Sequence, residues 1–416
     1  MKKILLSKLF MLTLITPLFL ISSCSKKEGC TDPAAINYDQ DAEEDDGSCE
    51  YEENNNGNDN GDSGEPVVLS GTIDSPLLLE DIFEPSELVD YIIQGSLTIN
   101  AAVTVEPGVR FLMKPGARVF VRSGGSLDMT GTEQDTIFMT GEQDVHGYWD
   151  YILFDGSNNP NNKMIYTSVH NGGGSNTRDA MISLGGNSRV TFMNSTFSKS
   201  ERFGIRLNSE DGNIPDFKDN NVKNCNLHPV SLDNFSQAIN FDESSDFTQG
   251  NANNSVRIGS RTIQQSFTIP KLSGPYEAHG RIHFNGEVVV EAGTTIKMAA
   301  SARITVESNA SLKCIGTSSE RITIEGTQPV EGFFECIRFN NSNNTNNEFQ
   351  YVDVSYGGGS NIYPATIFLS SASRFKMGNS SINFSARNGI SGSNSAIYED
   401  DGNNTFNGNV LDDIDL

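Results

Sequence analysis

The second half of this chain repeats the first at one fixed spacing. Residues 105–205 lie over residues 290–390 at a constant shift of 185, without a gap and with about forty identities in about a hundred positions. TVEPGVRFLM meets VVEAGTTIKM, ARVFVRSGGSLDMTGT meets ARITVESNASLKCIGT, SNNPNN meets SNNTNN, NGGGSN meets YGGGSN and SRVTFMNST meets SRFKMGNSS. The correspondence reaches back to Tyr91 against Tyr276. Such a chain reads as two homologous modules, residues 67–250 and 251–416, and a fold proposed for one must serve for both.

A shorter period runs inside each module. Apolar alternating triplets recur as Leu127-Asp128-Met129, Ile152-Leu153-Phe154, Ile182-Ser183-Leu184, Ile205-Arg206-Leu207 and Val230-Ser231-Leu232, about 23 to 30 residues apart. A second series runs through Val119-Phe120-Val121, Ile137-Phe138-Met139, residues 166–169 and Val190-Thr191-Phe192. Each segment spans three to five residues between Gly, Asn, Asp or Ser, the punctuation of short strands joined by turns that tolerate left-handed backbone. With 36% apolar residues, 39 glycines and almost no helix-length pattern, the chain has a core to bury and only short strands to bury it with. Several short strands per period of about 25 residues describe the coil of a parallel β-solenoid, in which inward Val, Ile, Leu and Phe stack on like residues above and below. A propeller needs about forty residues per blade, and an antiparallel sandwich gives no stacked repeat of this kind.

The N-terminal residues address a compartment. Lys2, Lys3 and Lys8 precede an apolar run over residues 9–21 that is broken by Pro17 and short for a bilayer, the pattern of a signal peptide spanning residues 1–23. Ile21-Ser22-Ser23-Cys24 resembles a bacterial lipobox, which implies diacylation of Cys24 and anchoring to a membrane, residues 24–28 forming the acylated terminus. GCTDPAAINYDQDAEEDDGSCEY, residues 29–51, resembles a short acidic cysteine-bracketed module common in secreted proteins of the Bacteroidetes, and that resemblance pairs Cys30 with Cys49. Within it Asp41, Asp45 and Asp46 are candidate calcium ligands in a spacing that is not an EF-hand loop, the alternative being a solvated acidic spacer. Residues 52–66 read as a flexible linker. Thirteen acids and no bases fall in residues 29–65, and the whole chain carries a net charge of −25, which argues against a nucleic-acid partner.

GSLTINAAVTVEPGVRF, GGSLDMTGT and GYWDYILFDGS resemble the right-handed parallel β-helix lipoproteins of Bacteroidetes. The resemblance covers residue 67 to the C-terminus and implies an all-β, pectin-lyase-like solenoid held at the outer membrane, on its outer or periplasmic face. Folds of this kind host lyases, glycosidases, adhesins and plain rods, so activity must be argued from a site. None of His146, His170, His228, His279 and His283 sits in a motif of those enzymes, and no paired carboxylates appear at matched spacing. Arg118 and Arg303 coincide between modules, as do Arg189 with Arg374 and Arg202 with Arg387; such forks suit acidic glycans or, alternatively, neighbouring carboxylates. Tyr148-Trp149 and Phe333-Phe334 precede matched strands and are candidate sugar-stacking platforms, or rings that fold inward to seal the core. Cys225, Cys314 and Cys336 read as small core residues, and no zinc spacing appears. The expectation is a non-enzymatic binding or adhesion module for polysaccharide or another cell-surface polymer; a lyase or glycosidase with unfamiliar motifs and a structural spacer stand as alternatives.

Overall fold

The computed structural model describes residues 27–49, except 34, 36 and 46, and residues 65–416, except 84–86. The signal peptide, Cys24 and Asp46 lie outside the described residues. The chain divides into two units, Met1–Glu52 and Glu53–Leu416.

In the first unit Glu28–Gly29 pairs in parallel with Glu44–Asp45, and a disulfide joins Cys30 to Cys49. Its acids close turns: Asp39 takes the Asp41 backbone N–H at 3.0 Å and the Lys27 ammonium at 2.6 Å, and Asp45 takes the Gly47 N–H at 3.1 Å. The Lys27 contact holds the Asp39 carboxyl below the usual range.

The second unit is a right-handed parallel β-helix of about 13 turns, every strand pairing with the equivalent strand one coil away. Three columns of strands build module 1. The first runs through Arg110–Met113, Ile137–Gly141, Thr167–His170, Thr196–Ser198 and Asn221–Lys223. The second runs through Arg118–Arg122, Tyr151–Asp155, Ala180–Gly185, Phe203–Leu207 and Val230–Leu232. The third runs from Leu77–Leu79 through Ala102–Val105, Ser126–Thr130, Lys163–Ile165 and Thr191–Met193 to Phe217–Lys218. Alternation puts one set of side chains inside, so like stacks on like. Val119, Ile152, Ile182, Ile205, Val230, Val256, Tyr276, Ile296, Ile324, Val354 and Ile382 form one unbroken inner ladder, each at most 1% exposed. Burying each such side chain contributes about 1.5–3 kcal/mol against the entropy of ordering the coil.

Corners come from local chemistry. A single residue in the left-handed region bends the third column into the first: Tyr166 (φ 46°) and its counterpart Tyr351 (φ 53°), then Asn194 and Asn379 (both φ 51°). The Asn-rich loops are clips. Asn162 accepts the Leu127 N–H at 3.1 Å and donates to the Ser157 carbonyl and hydroxyl, while Ser157 donates to the Gly125 carbonyl one coil back at 2.6 Å. Asn347, Leu312, Ser342 and Ala310 repeat every one of these bonds in module 2. The first Ser and last Asn of SNNPNN and SNNTNN are therefore buried, and the loops satisfy backbone rather than offer it.

The modules do not stack in phase. Val230–Leu232, from the second column, pairs with Val256–Ile258, which pairs with Tyr276–Ala278 and then Thr295–Met298, the sequence counterpart of Arg110–Met113 in the first column. Arg303–Val306, Cys336–Phe339, Ala365–Leu369 and Asn388–Gly392, counterparts of the second column, lie in a separate seven-stranded sheet. Equivalent residues thus occupy different columns. Among the described residues the one helical element, a 3-10 turn Phe235–Ala238 capped by Asn234, sits at this join.

Replacing Asn347 with Ala leaves the Leu312 N–H and the Ser342 carbonyl without their partner, so the chain loses about 1–3 kcal/mol in denaturant unfolding, whereas Thr345→Ala on the exposed tip of the same loop stays within about 0.5 kcal/mol.

Candidate functional site

Of the paired aromatics, the second ring of each pair folds inward to seal the core, the alternative the sequence also offered. Trp149 is fully buried, its indole N–H donating to the His170 carbonyl at 2.7 Å, and Phe334 is equally buried. Both tuck beneath the glycine-rich loops: a Cβ at Gly172 would fall 2.7 Å from the Trp149 ring and one at Gly357 the same distance from Phe334. Room for the ring is the reason these loops carry glycine there. Tyr148 and Phe333 are half-buried, Tyr148 donating to Glu142 at 2.9 Å. The matched arginines hold carboxylates of the next coil. Arg118 pairs with Asp150 at 2.7 Å and Arg303, 8% exposed, with Glu335 at 2.9 Å. Arg202 and Arg387 each donate to the Asn of the glycine loop, Asn176 and Asn361. A buried ring or a neutralised guanidinium presents little to a ligand, so Trp149, Phe334 and Arg303 are corrected to core and coil-to-coil roles, and Arg118 to an ion pair.

Asp41 and Asp45 are exposed and engaged as described, with Asp46 outside the described residues. Cys225, Cys314 and Cys336 are free and buried, and burial pushes the Cys225 and Cys336 thiols up to about 12.

Where the modules join, the outward side chains are of another kind. Ser183, Arg206, Ser231, Arg257, Glu277, Lys297 and Glu325 form one register-matched outer ladder. Arg206 and Arg257 lie two coils apart, 5.8 and 6.0 Å from the centre of the same Phe203 ring, with only the short Ser231 between them. Arg206 also pairs with Asp179. Arg257 is half-buried and makes no ion pair or side-chain hydrogen bond with a described residue; burial, then Arg206, lowers its proton affinity.

Beside Arg257 three potential ligands converge. His228 precedes the strand Val230–Leu232, and Glu277 and His279 belong to or follow Tyr276–Ala278, two coils on. His228 Nε2 is 3.3 Å from Glu277 Oε2, His279 Nε2 is 2.8 Å from Glu277 Oε1, and one ligand atom from each residue lies within 4.8 Å of the others. The close approaches lack hydrogen-bond direction: both His228 nitrogens and His279 Nε2 are buried without a hydrogen-bond partner. Ser255, on the coil between, donates to Glu277 Oε2 at 3.0 Å. Burial alone would push the Glu277 carboxyl up, but the two imidazoles outweigh it and hold the carboxyl well below the usual range.

Sequence reading passed over this cluster because its parts are 49 residues apart. Two signals were present. Glu277 and His279 are spaced by two, so a strand presents them on one face, and the separation from His228 is close to two coils.

His170, in the first column, has a shifted pKa. Burial, then Lys199 and Lys223, push its pKa down from 6.5 to about 4, while Nδ1 meets the Ser198 hydroxyl at 2.6 Å. The unfolded chain therefore binds this proton first as pH falls, and the His170 share of stability, on the order of 3 kcal/mol, is full above about pH 6.5 and lost on descent to about pH 4. An NMR titration should place this ring near 4, and His170→Gln should flatten that part of the stability profile.

Comparison with known proteins adds no name to this geometry: no protein-family model, no curated protein sequence and no solved structure matches the chain.

Proposed function

We propose that this chain is an acylated, outer-membrane-anchored lipoprotein whose β-helix is a non-enzymatic binding or adhesion module for an acidic polysaccharide or a similar cell-surface polymer. The observation that carries the reading is the outer ladder at the module junction, where Arg206 and the unpaired Arg257 flank Phe203 across the gap at Ser231. A half-buried guanidinium is costly, Glu277 beside Arg257 offsets only part of that cost while it also faces His228, His279 and Ser255, and a uronate or sulfate seated between the two forks relieves more of it. Phe203, 9% exposed beneath the two guanidiniums, holds the forks in place, and parallel coils about 4.8 Å apart continue the contact along a polymer. The lipobox at Cys24 supplies the tether and the acidic residues 29–65 a spacer from the membrane, with calcium at Asp41, Asp45 and Asp46 as a part of the same proposal.

Retention of the purified full chain on immobilised uronate-bearing, sulfated and neutral polysaccharides, with and without calcium, tests the binding reading. Retention on an acidic member should fall by about tenfold or more in Arg257→Gln and with rising salt. Release of unsaturated or reducing ends from any polymer overturns the non-enzymatic reading, and retention on none leaves a structural spacer. In a bacterial host, the wild-type chain should partition with the detergent-soluble membrane fraction and Cys24→Ser with the soluble fraction; equal partitioning overturns the acyl anchor.

A further inference from the structure

The junction cluster has the composition, spacing and unmet bonding of a metal site. Two imidazoles and one carboxylate are the protein ligands of a four-coordinate zinc centre that keeps one position open. Metal–ligand bonds of about 2.0–2.1 Å at tetrahedral angles put neighbouring ligand atoms about 3.3 Å apart. The His228–Glu277 separation is 3.3 Å, to Oε2, and the His279–Glu277 separation is 2.8 Å, to Oε1; one ligand atom from each residue lies within 4.8 Å of the others, so the set closes by up to about 1.5 Å around an ion. His228 is 6% exposed and both its nitrogens are unpartnered, so a buried polar group that costs about 1–3 kcal/mol when unsatisfied is aimed at the carboxylate without bonding to it.

We infer that His228, Glu277 and His279 bind a zinc-class divalent cation that clamps successive coils where the two modules join.

The surroundings fit that role. The Ser255 hydroxyl bonds Glu277 Oε2 and orients the carboxylate, as the hydrogen-bonded neighbours of metal ligands do. His228 stands on one coil, Ser255 on the next and Glu277 on the third, so one ion ties the last coils of module 1 to the first of module 2. Glu277 has Arg257 and Lys297 as its register partners, and Arg206 stands one coil beyond Ser231. With a bound dication the open position is strongly electropositive, and its fourth ligand is an anion: hydroxide or a carboxylate. His279, 31% exposed in its side chain, is the solvent side of the site and the route by which an ion enters.

Chelator-treated full chain, dialysed separately against Zn2+ and Co2+, is expected to take up one tightly held ion per chain. The Co2+ form should show the intense visible absorption of four- or five-coordinate nitrogen and oxygen ligation, and X-ray absorption of the Zn2+ form should show two imidazoles. Glu277→Gln and His279→Ala should each weaken binding at least tenfold and abolish the Zn2+-dependent rise in melting temperature, and Ser255→Ala should weaken it by about tenfold. His279 ends a strand and is partly exposed, so its variant tests binding in a chain whose circular dichroism stays that of the wild type. Absence of a tightly held ion, six-coordinate oxygen ligation, or uptake undiminished in Glu277→Gln and His279→Ala overturns the inference. The wild-type spectra decide it even where a variant fails to fold.

Discussion

Each described strand of the β-helix finds its backbone hydrogen-bond partners in the coils beside it. A parallel strand cannot close its own ladder, so each N–H and carbonyl must meet its equivalent about 4.8 Å along the axis. That constraint fixes the remainder. Inward side chains stack in register, which favours branched aliphatic and aromatic residues on the inner ladder from Val119 to Ile382. Where the ladder breaks at a corner, an asparagine replaces the missing strand. Asn162, Asn220, Asn251, Asn347, Asn404 and Asn409 each accept a backbone N–H from the preceding coil and donate to a carbonyl, in their own loop for Asn162 and Asn347 and one coil back for the others. An amide places its acceptor and its donors on separate atoms, so it spans two backbone groups farther apart than a hydroxyl reaches, while Ser195 and Ser380 bridge closer pairs with a single oxygen.

The solenoid was legible in the sequence because its two periods, alternation within a strand and recurrence at about 25 residues, are both imposed by that ladder. The duplication gave the second half strand for strand: Arg118–Arg122 answers Arg303–Val306, and Lys163–Ile165 answers Glu348–Gln350. Periodicity reports which residues point inward, though, not which column a strand joins. The slip between modules is carried by the single pairing of Val230–Leu232 with Val256–Ile258, and no residue pattern marks it. Trp149 was misplaced for a related reason. It precedes its strand, and only the space above Gly172, a residue from the following coil, shows that the ring turns inward.

The slip changes what duplication can mean for binding. Two modules in phase would present Arg118 and Arg303 on one face, as a repeated contact for a repeating ligand. Offset by a column, they become two separate ion pairs, Arg118 with Asp150 partly exposed and Arg303 with Glu335 largely buried. The junction is instead the place without a copy. Positions equivalent to His228, Glu277 and His279 are Asp412, Ile92 and Gln94, so the cluster belongs to the join and has no copy in the repeated module.

A join between two stacked modules is also where a solenoid is weakest. Coils there run from about 20 to 26 residues, the spacing of Tyr276 from Val256 and of Val256 from Val230, and a 3-10 turn replaces a strand. Nearest-neighbour coupling governs the stability of such a rod, so one poor interface lets the two halves open independently. The inner ladder crosses the join through Tyr276, whose hydroxyl donates to the Pro270 carbonyl at 2.9 Å, and its ring packs against Phe235. That apolar bond holds the inside. On the outside the same three coils carry Arg257, which makes no ion pair or side-chain hydrogen bond with a described residue, and His228, whose ring nitrogens have no hydrogen-bond partner, both half-buried or deeper. Polar groups left in that state within an otherwise bonded ladder weaken the interface that most needs strength, and a cation with its anion removes both defects at once.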